Sequence, residues 1–241
     1  MTDFVYRNVM RDIKQNILKG NYEGMRLPDE RSLAAKYEVS RSSMKRALGL
    51  LAQQGIVFKK RGSGTFVNPL YLKNQALFSY EGSNIGLTDS FRVPGKKQNI
   101  KLLNFQVIKA SSEIAQDLFL NENDFVYEFK RLRLLEEQPF LIETGYIPIK
   151  IMPELKSEIL QSSLFNYLED EQNKTVTKAF LNITVEPSSK EDQTEMKLKP
   201  VEPVGVISGI FFLDDGTPFE ISNMRVHYRY MRFNTFVNVN K

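Results

Sequence analysis

The chain has 241 residues and 41% apolar content, enough for two ordinary domains with packed cores, and no window approaches the run of about 20 apolar residues needed to span a bilayer. It has no cysteine and a single histidine, His227, which excludes disulfides, thiolate chemistry and Cys-ligated zinc and argues against a histidine-built metal site or a His-dependent triad. The net charge of +4 is unevenly spread: residues 1–69 carry 13 Lys and Arg against 6 Asp and Glu, a balance of +7, and the remainder stands at −3. Cations concentrated at one end of a chain are the electrostatic footprint of a polyanionic partner.

The opening MTDFVYRNVMRDIKQ lacks the apolar core and small-residue cleavage site of a secretory signal, so the expected location is the cytoplasm. Phe4, Val5, Val9, Ile13, Ile17 and Leu18 follow a helical period, predicting a helix over about Phe4 to Lys19 with Gly20 as its stop. NYEGMRLP reads as a loop, after which Asp29 caps a second helix through about Tyr37, with Leu33 and Ala34 facing inward. A turn at Glu38-Val39 leads to Ser40, the N-cap of the best-specified helix in the chain. Met44, Ala47, Leu48 and Leu51 fall at i, i+3, i+4 and i+7 and form one core-facing stripe. Ser42, Lys45, Arg46 and Gly49 lie on the far side, and Arg41 flanks the stripe in the first turn. A helix that docks one face while offering polar and cationic residues at its start suits the major groove of duplex DNA.

Beyond Gly55, the segments Ile56-Val57-Phe58 and Gly64-Thr65-Phe66-Val67 read as two short strands around Lys59-Lys60-Arg61-Gly62-Ser63. Glycines at such a tip let backbone approach a phosphate closely, and three consecutive cations supply the attraction. Taken alone, a run such as KKR is equally a solvated face. What favours DNA is the order of the parts together with the local charge excess.

Residues 69–79 read as a linker and 80–241 as a second domain. IKLLNFQVIKA predicts a strand and SSEIAQDLFL a helix capped by Ser111 or Ser112. FVYEFKRLRLLE and PFLIETGYIP form a hairpin across Glu137-Gln138, and SSLFNYLEDE is a capped helix. Later strands are expected near 177–186, 203–213 and 218–230, with a helix near 189–198 and a turn at Asp214-Asp215-Gly216. Hairpin-linked strands with interspersed helices imply an antiparallel α+β domain.

Three features of this domain bear on ligand chemistry. Arg131 and Arg133 lie two apart on a strand and so share a face. Two adjacent guanidiniums need an anion between them, and a phosphate matches their planar donor forks; a solvent-exposed strand face is the plain alternative. Ser162-Ser163 begin an apolar helix, where hydroxyls and free N–H groups favour anions, although an ordinary N-cap accounts for them equally. Glu143 and Glu220 interrupt apolar strands and need partners, either sugar hydroxyls or a neighbouring Lys or Arg. His227 reads as a packed or hydrogen-bonded histidine.

LPDERSLAAKYEVSRSSMKRALGLLAQQGIVFKKRGSGTFV resembles the N-terminal winged helix-turn-helix domain of GntR-family transcription regulators, over about residues 4–68. The family pattern has a Leu-Pro-Ser-Glu-Arg-type start, a Val-Ser-Arg turn and a Gly-x-Gly-Thr wing. Here Asp29 replaces the usual Ser and Met44-Lys45 the usual Val-Arg; lysine keeps the charge without arginine's bidentate fork. The resemblance implies DNA contacts from Arg31, Arg41, Ser42, Lys45 and Gly64, to which the charge pattern adds Arg46, Lys60 and Arg61.

PFLIETGYIP, SSLFNYLE and DDGTPFEISN, in this order, resemble the UTRA domain of the HutC subfamily, over about residues 80–237. That domain is similar in fold to chorismate lyase and binds effectors without catalysing. By the pattern of sugar-phosphate sensors, the resemblance implies phosphate contacts from Arg131, Arg133, Ser163 and the Thr88–Phe91 loop with its Ser90. It implies sugar contacts from Glu143, Glu220 and Tyr230. The final strand reads Met224-Arg225-Val226-His227-Tyr228-Arg229-Tyr230, without the acidic residue of the Arg-Gly-Asp-Arg-Tyr-like strand common among relatives.

The expectation is an α+β protein with a winged helix-turn-helix domain at 1–68, a linker at 69–79 and an antiparallel effector-binding domain at 80–241. It would be a cytoplasmic transcription regulator needing no cofactor or metal, and a homodimer on a pseudo-palindromic operator, because one such module makes too few base contacts. A repressor of a carbohydrate-utilisation operon, released by a phosphorylated sugar through the segment around 69–92, fits best. The alternatives are an activator or a regulator of a non-sugar ligand, and a lyase-like or phosphosugar-processing enzyme with a DNA-binding appendage.

Overall fold

The computed structural model describes residues 2–73 and 97–232, and the chain divides into two compact units. In the first, α1 (Thr2–Leu18) buries Tyr6, Val9, Met10, Ile13 and Ile17 along one face and ends before Gly20, whose φ of 71° suits a residue without a Cβ. The Asp29 carboxylate accepts from the backbone of Arg31 and Ser32, each at 2.9 Å, and so starts α2 (Glu30–Lys36). Ser40 accepts from Ser43 N at 3.1 Å and starts α3 (Arg41–Gln53), a cap worth about 1 kcal/mol. On α3 the buried residues are Met44, Ala47, Leu48 and Leu51, and they join the α1 stripe, Leu33 and Ile56 in one apolar core.

The hairpin β1 (Val57–Lys60) and β2 (Gly64–Val67) is antiparallel, with Lys60 opposite Gly64. Its base is held to the chain before α2: Leu27 donates its backbone N–H to the Thr65 carbonyl at 2.9 Å, and Arg26 bridges to Phe66. Within the segment expected as linker, Pro69–Lys73 forms a short helix, α4, whose Tyr71 and Leu72 pack on this first core.

The second unit is a six-stranded, fully antiparallel sheet. Its strands are β3 (Gln98–Lys109), β4 (Phe125–Leu135), β5 (Gln138–Pro148), β6 (Val176–Pro187), β7 (Pro203–Leu213) and β8 (Pro218–His227), in the order β3-β4-β5-β8-β7-β6. Helix α5 (Ser112–Asp117), capped by Ser111, links β3 to β4. The β4–β5 turn is Glu136-Glu137, both at positive φ, one residue earlier than expected, and Gln138 already pairs with Leu135. Glutamates are not the Asn-Gly signal such a turn normally carries, so nothing local marked its position. β8 ends at His227, three residues short of the expectation, as Tyr228–Tyr230 turn back with Tyr230 N donating to the His227 carbonyl.

Alternation along β4 and β5 gives the sheet two covered faces. One holds Phe129, Leu141, Met224 and Val226 beneath α6 (Ser157–Leu160), which was not anticipated, and α7 (Leu164–Gln172). The other holds Leu132, Ile142, Val204 and Val206 with Met196 and Leu198, which follow α8 (Lys190–Glu195). Because both faces are covered, any charge on a central strand must find its partner inside the protein.

Candidate DNA interface and effector site

Burial of the α3 stripe turns the opposite side of that helix outward, so Arg41, Ser42 and Lys45 are exposed, as is Arg31 on α2. The Ser42 hydroxyl lies 2.8 Å from that of Ser40, which ties it to the cap. Arg46 is exposed as well, but its guanidinium lies over the ring of Tyr6 on α1, 4.2 Å from the centroid. It therefore serves the α1–α3 packing, a contact that charge alone did not suggest. At the hairpin tip Lys60 and Arg61 are exposed and Gly62 takes a φ of 74°. Lys59 differs: its Nζ sits 2.6 Å from Glu30 on α2, so one of three wing cations has an internal partner. Gly64, at φ 116°, has the Arg26 side chain behind it, with Nε 3.3 Å from where a Cβ would stand. Arg26 is thus a further cation at the wing that the sequence did not single out.

In the second unit, strand register gathers charges that lie far apart in sequence. Arg131 on β4 pairs directly with Glu143 on β5, and Arg133 follows on the same face. Both arginines, Glu143 and Glu220 on β8 are each no more than 2% exposed. The two guanidiniums converge on one oxygen, Glu143 Oε2, with Arg131 Nε at 3.1 Å, Arg133 Nε at 3.1 Å and Arg133 Nη2 at 2.9 Å. Arg131 Nη2 completes the set at 2.9 Å. The anion that the paired arginines demand is therefore Glu143 itself in this structure, where a phosphate was expected. Arg131 Nη1 also donates to the Leu160 carbonyl at 3.2 Å, at the end of α6, and its guanidinium lies over Phe129 at 4.8 Å.

This face is incompletely satisfied. Arg133 Nη1, Glu220 Oε1 and the Ser222 hydroxyl are buried without a well-formed hydrogen bond. Glu220 and Ser222 lie within reach of each other, whereas Arg133 Nη1 has no partner; an orphaned buried polar group costs about 1–3 kcal/mol, so that nitrogen calls for a functional account. Burial would push the Glu143 carboxyl up, but Arg131 and Arg133 outweigh it and hold it down at about 2. Burial first, and Glu143 second, push the Glu220 carboxyl up to about 8, against the pull of both arginines and of nearby Ser222.

Gly145, opposite Ser222 on β5, makes this crowding possible: a Cβ there would stand 2.1 Å from the Phe129 ring and 2.9 Å from Glu220 Oε1. A glycine inside the strand ETGYIP is the signal that could have found it. Ser163 is half-buried and caps α7, accepting from Asn166 N at 3.3 Å, three residues beyond the carbonyl that receives Arg131. Tyr230 lies past the end of β8, with its ring 5.8 Å from Phe140 and 5.5 Å from His227. That ring contact accounts for the packed state expected of His227, whose imidazole is pulled below its usual value by burial and then by Arg229. Thr88, Ser90 and Phe91 lie outside the described residues.

An exposed cationic helix with a hairpin wing, joined to a sheet domain whose interior keeps unanswered polar groups, defines a ligand-responsive DNA-binding regulator. Residues 5–67 match the bacterial regulatory proteins of the gntR family and residues 94–232 match the UTRA domain, so the chain belongs to the GntR family, in the HutC-subfamily arrangement. It is similar to the transcriptional regulator GmuR of Bacillus subtilis strain 168, 30% identical over 239 residues that cover 98% of each chain. It is also similar to the mannosyl-D-glycerate transport/metabolism system repressor MngR of Escherichia coli K12, at 25% over 219 residues, 90% of this chain and 89% of that one. The crystal structure of a possible regulator, YydK of Bacillus subtilis, superimposes with a TM-score of 0.78 at 27% identity, covering 97% and 99% of the two chains. The chain is accordingly a transcription regulator and not an enzyme, with a DNA-binding first domain and a second that binds a small-molecule effector. No helix among the described residues is long and apolar enough to cross a membrane.

Proposed function

We propose that this regulator is a cytoplasmic repressor of a carbohydrate-utilisation operon, bound as a homodimer to a pseudo-palindromic operator and released by a phosphorylated sugar. Arg31, Arg41, Ser42, Lys45 and Arg46 would meet the operator from α2 and α3, with Lys60, Arg61 and Gly64 on the wing and Arg46 also packed on Tyr6 of α1. The observation that carries the effector reading is the convergence of two buried guanidiniums on a single carboxylate oxygen, with Arg133 Nη1 left over. A phosphate brings several acceptor oxygens to such a donor-rich site. Glu143, Glu220 and Tyr230 would then meet the sugar, and Ser163, with the Thr88, Ser90 and Phe91 segment, the phosphate. MngR, a repressor named for a carbohydrate system, supports the operon class.

Release requires the effector to bind the DNA-incompetent arrangement more tightly, since equal affinity for both arrangements shifts nothing. The test is a titration of operator-bound protein with a panel of sugar phosphates and the matching free sugars, followed by fluorescence anisotropy of the duplex. Release by a phosphorylated member and not by its free sugar is the expected result. Release by free sugars alone, or by none of the panel, overturns the assignment.

A further inference from the structure

We infer that Glu220 serves this site as a neutral acid, so that seating an anion against Arg131 and Arg133, in competition with Glu143, is coupled to the proton on Glu220 and effector affinity depends on pH. The inference rests on the reading of the arginine pair as the anion site and adds the charge state that makes the site selective. Among the described residues, the charged groups facing Glu220 are Glu143 from β5 and Arg131 and Arg133 from β4; on its own strand it has the Ser222 hydroxyl. With Glu220 ionised, two guanidiniums and two carboxylates sum to zero and the cluster offers an anion no net attraction. With Glu220 protonated the cluster carries one positive charge, and the acid supplies an O–H donor to a ligand oxygen.

The geometry favours the neutral form. Glu220 is 1% exposed, its carboxyl has only the neighbouring Ser222 hydroxyl to bond and no well-formed bond at Oε1, and both guanidiniums are already turned to Glu143 Oε2. Gly145 permits the arrangement, since the space its missing Cβ leaves is taken by the Phe129 ring and Glu220 Oε1 together, and burial of that kind disfavours charge. An anion entering beside Glu220 adds a like charge and strengthens its hold on the proton. Where Glu220 is ionised in the free protein, binding therefore takes one proton from solvent: carboxylate, proton and anion combine to give the carboxylic acid beside the bound anion, with no other bond made or broken.

The full-length protein is titrated calorimetrically with glucose 6-phosphate and, separately, with sulfate, at about pH 7 and about pH 9. Sulfate does not titrate in that window, and a sugar phosphate, with its second pKa near about 6, is already a dianion there. Both probes should bind about tenfold more weakly at the higher pH, as expected when one carboxyl titrating near 8 must be protonated. At the higher pH the binding heat should also vary with the ionisation enthalpy of the buffer, reporting close to one proton taken up. Glu220→Gln, a neutral isostere, should flatten both dependences, which separates Glu220 from other groups that titrate in the window, such as Lys14. The buffer dependence of the unmutated protein stands as a readout even if the variant misfolds. Equal affinity at both pH values with no proton uptake overturns the inference and leaves the anion site intact. Uptake that survives in a folded Glu220→Gln protein overturns it equally. Failure of both probes to bind at either pH removes the anion site and the inference together.

Discussion

The two faces of the effector-domain sheet each carry arginine, buried on one and partly exposed on the other, and they resolve the charge differently. On the α8 face, Arg225 of β8 gives Nε to both oxygens of Asp192 at 3.0 and 2.9 Å, Nη1 to Glu186 at 2.7 Å and Nη2 to the Pro187 carbonyl at 3.3 Å. Asp192 is itself fixed by a reciprocal capping box with Ser189. All three guanidinium nitrogens of Arg225 have acceptors, and the cluster pins β8 to α8 and to β6. On the α7 face, two guanidiniums share one carboxylate oxygen while an arginine nitrogen goes unanswered and the Glu220 carboxyl and Ser222 hydroxyl have no well-formed bond. A satisfied network stabilises; one left short of partners lowers stability and keeps a capacity to bind.

The largest expected effect tests how tightly the second face is built. Gly145→Ala puts a methyl 2.1 Å from the Phe129 ring, and the strand centre offers no easy escape. Overpacking of this kind should cost about 3 kcal/mol, read as a lowered midpoint in chemical denaturation of the effector-domain transition. A variant as stable as the parent would mean that Phe129 moves freely and that the crowding around Glu220 is not real.

Next comes a pH effect on stability that the two carboxylates predict with opposite signs. Glu143 is held at about 2, below its unfolded value, so its contribution is fully present above about 4.5 and is lost as pH falls toward about 2. Glu220 sits at about 8 against 4.5 unfolded, so between those values the native state holds the extra proton and stability declines as pH rises. Glu220→Gln removes that decline. Its melting temperature should exceed that of the parent near about pH 8 by more than it does near about pH 5. A difference independent of pH would show that Glu220 is ionised in the fold.

The contrast between faces sharpens further when one residue is removed from each. Asp192→Ala strips Arg225 of its buried partner and opens the α8 cap, which should cost about 2 kcal/mol, less than a fully buried pair because Arg225 is partly exposed and keeps Glu186. Operator release by the effector should persist in that protein wherever it is folded. Arg133→Ala should do the reverse, abolishing release by sugar phosphates while the fold survives, since Arg131 still holds Glu143. Loss of release in Asp192→Ala at temperatures where it is folded would show that both faces serve the effector.

The elements of the fold were legible because local signals agreed. The stripe Met44, Ala47, Leu48 and Leu51 and the caps at Asp29 and Ser40 stand where periodicity and side-chain chemistry put them, and of the pairs Ser111-Ser112 and Ser162-Ser163 the caps are Ser111 and Ser163. That Arg131 and Arg133 share a face also follows from a period of two. What lies between them does not, because it depends on hairpin register. A turn at Glu137-Gln138 would set Glu143 opposite Leu132, on the other face; the observed turn at Glu136-Glu137, with the irregularity after Arg133, sets it opposite Arg131. One residue of register decides whether the arginines meet a carboxylate or stand empty, and two glutamates at positive φ carry no sequence signal for it. Arg46 on Tyr6 and Lys59 on Glu30 were illegible for a related reason, since each contact joins elements whose mutual packing sequence does not specify.

The smallest expected effect separates cations that the sequence made equal. Lys60 is exposed with its charge free to reach a phosphate, whereas Lys59 is held by Glu30 across the wing–helix contact. Lys60→Ala should weaken operator binding a few-fold and lower the slope of log affinity against log salt by about 1, the signature of one lost phosphate contact. Glu30→Gln should act in the opposite direction, because it frees Lys59 and removes a negative charge from the docking side, so both affinity and slope should rise slightly. The exposed ion pair contributes little to stability, so the Glu30→Gln fold should be unchanged and the shift in binding can be assigned to charge. If Glu30→Gln instead weakens binding, the Lys59–Glu30 contact is what orients the wing, and the hairpin acts as a positioned arm more than as a patch of charge.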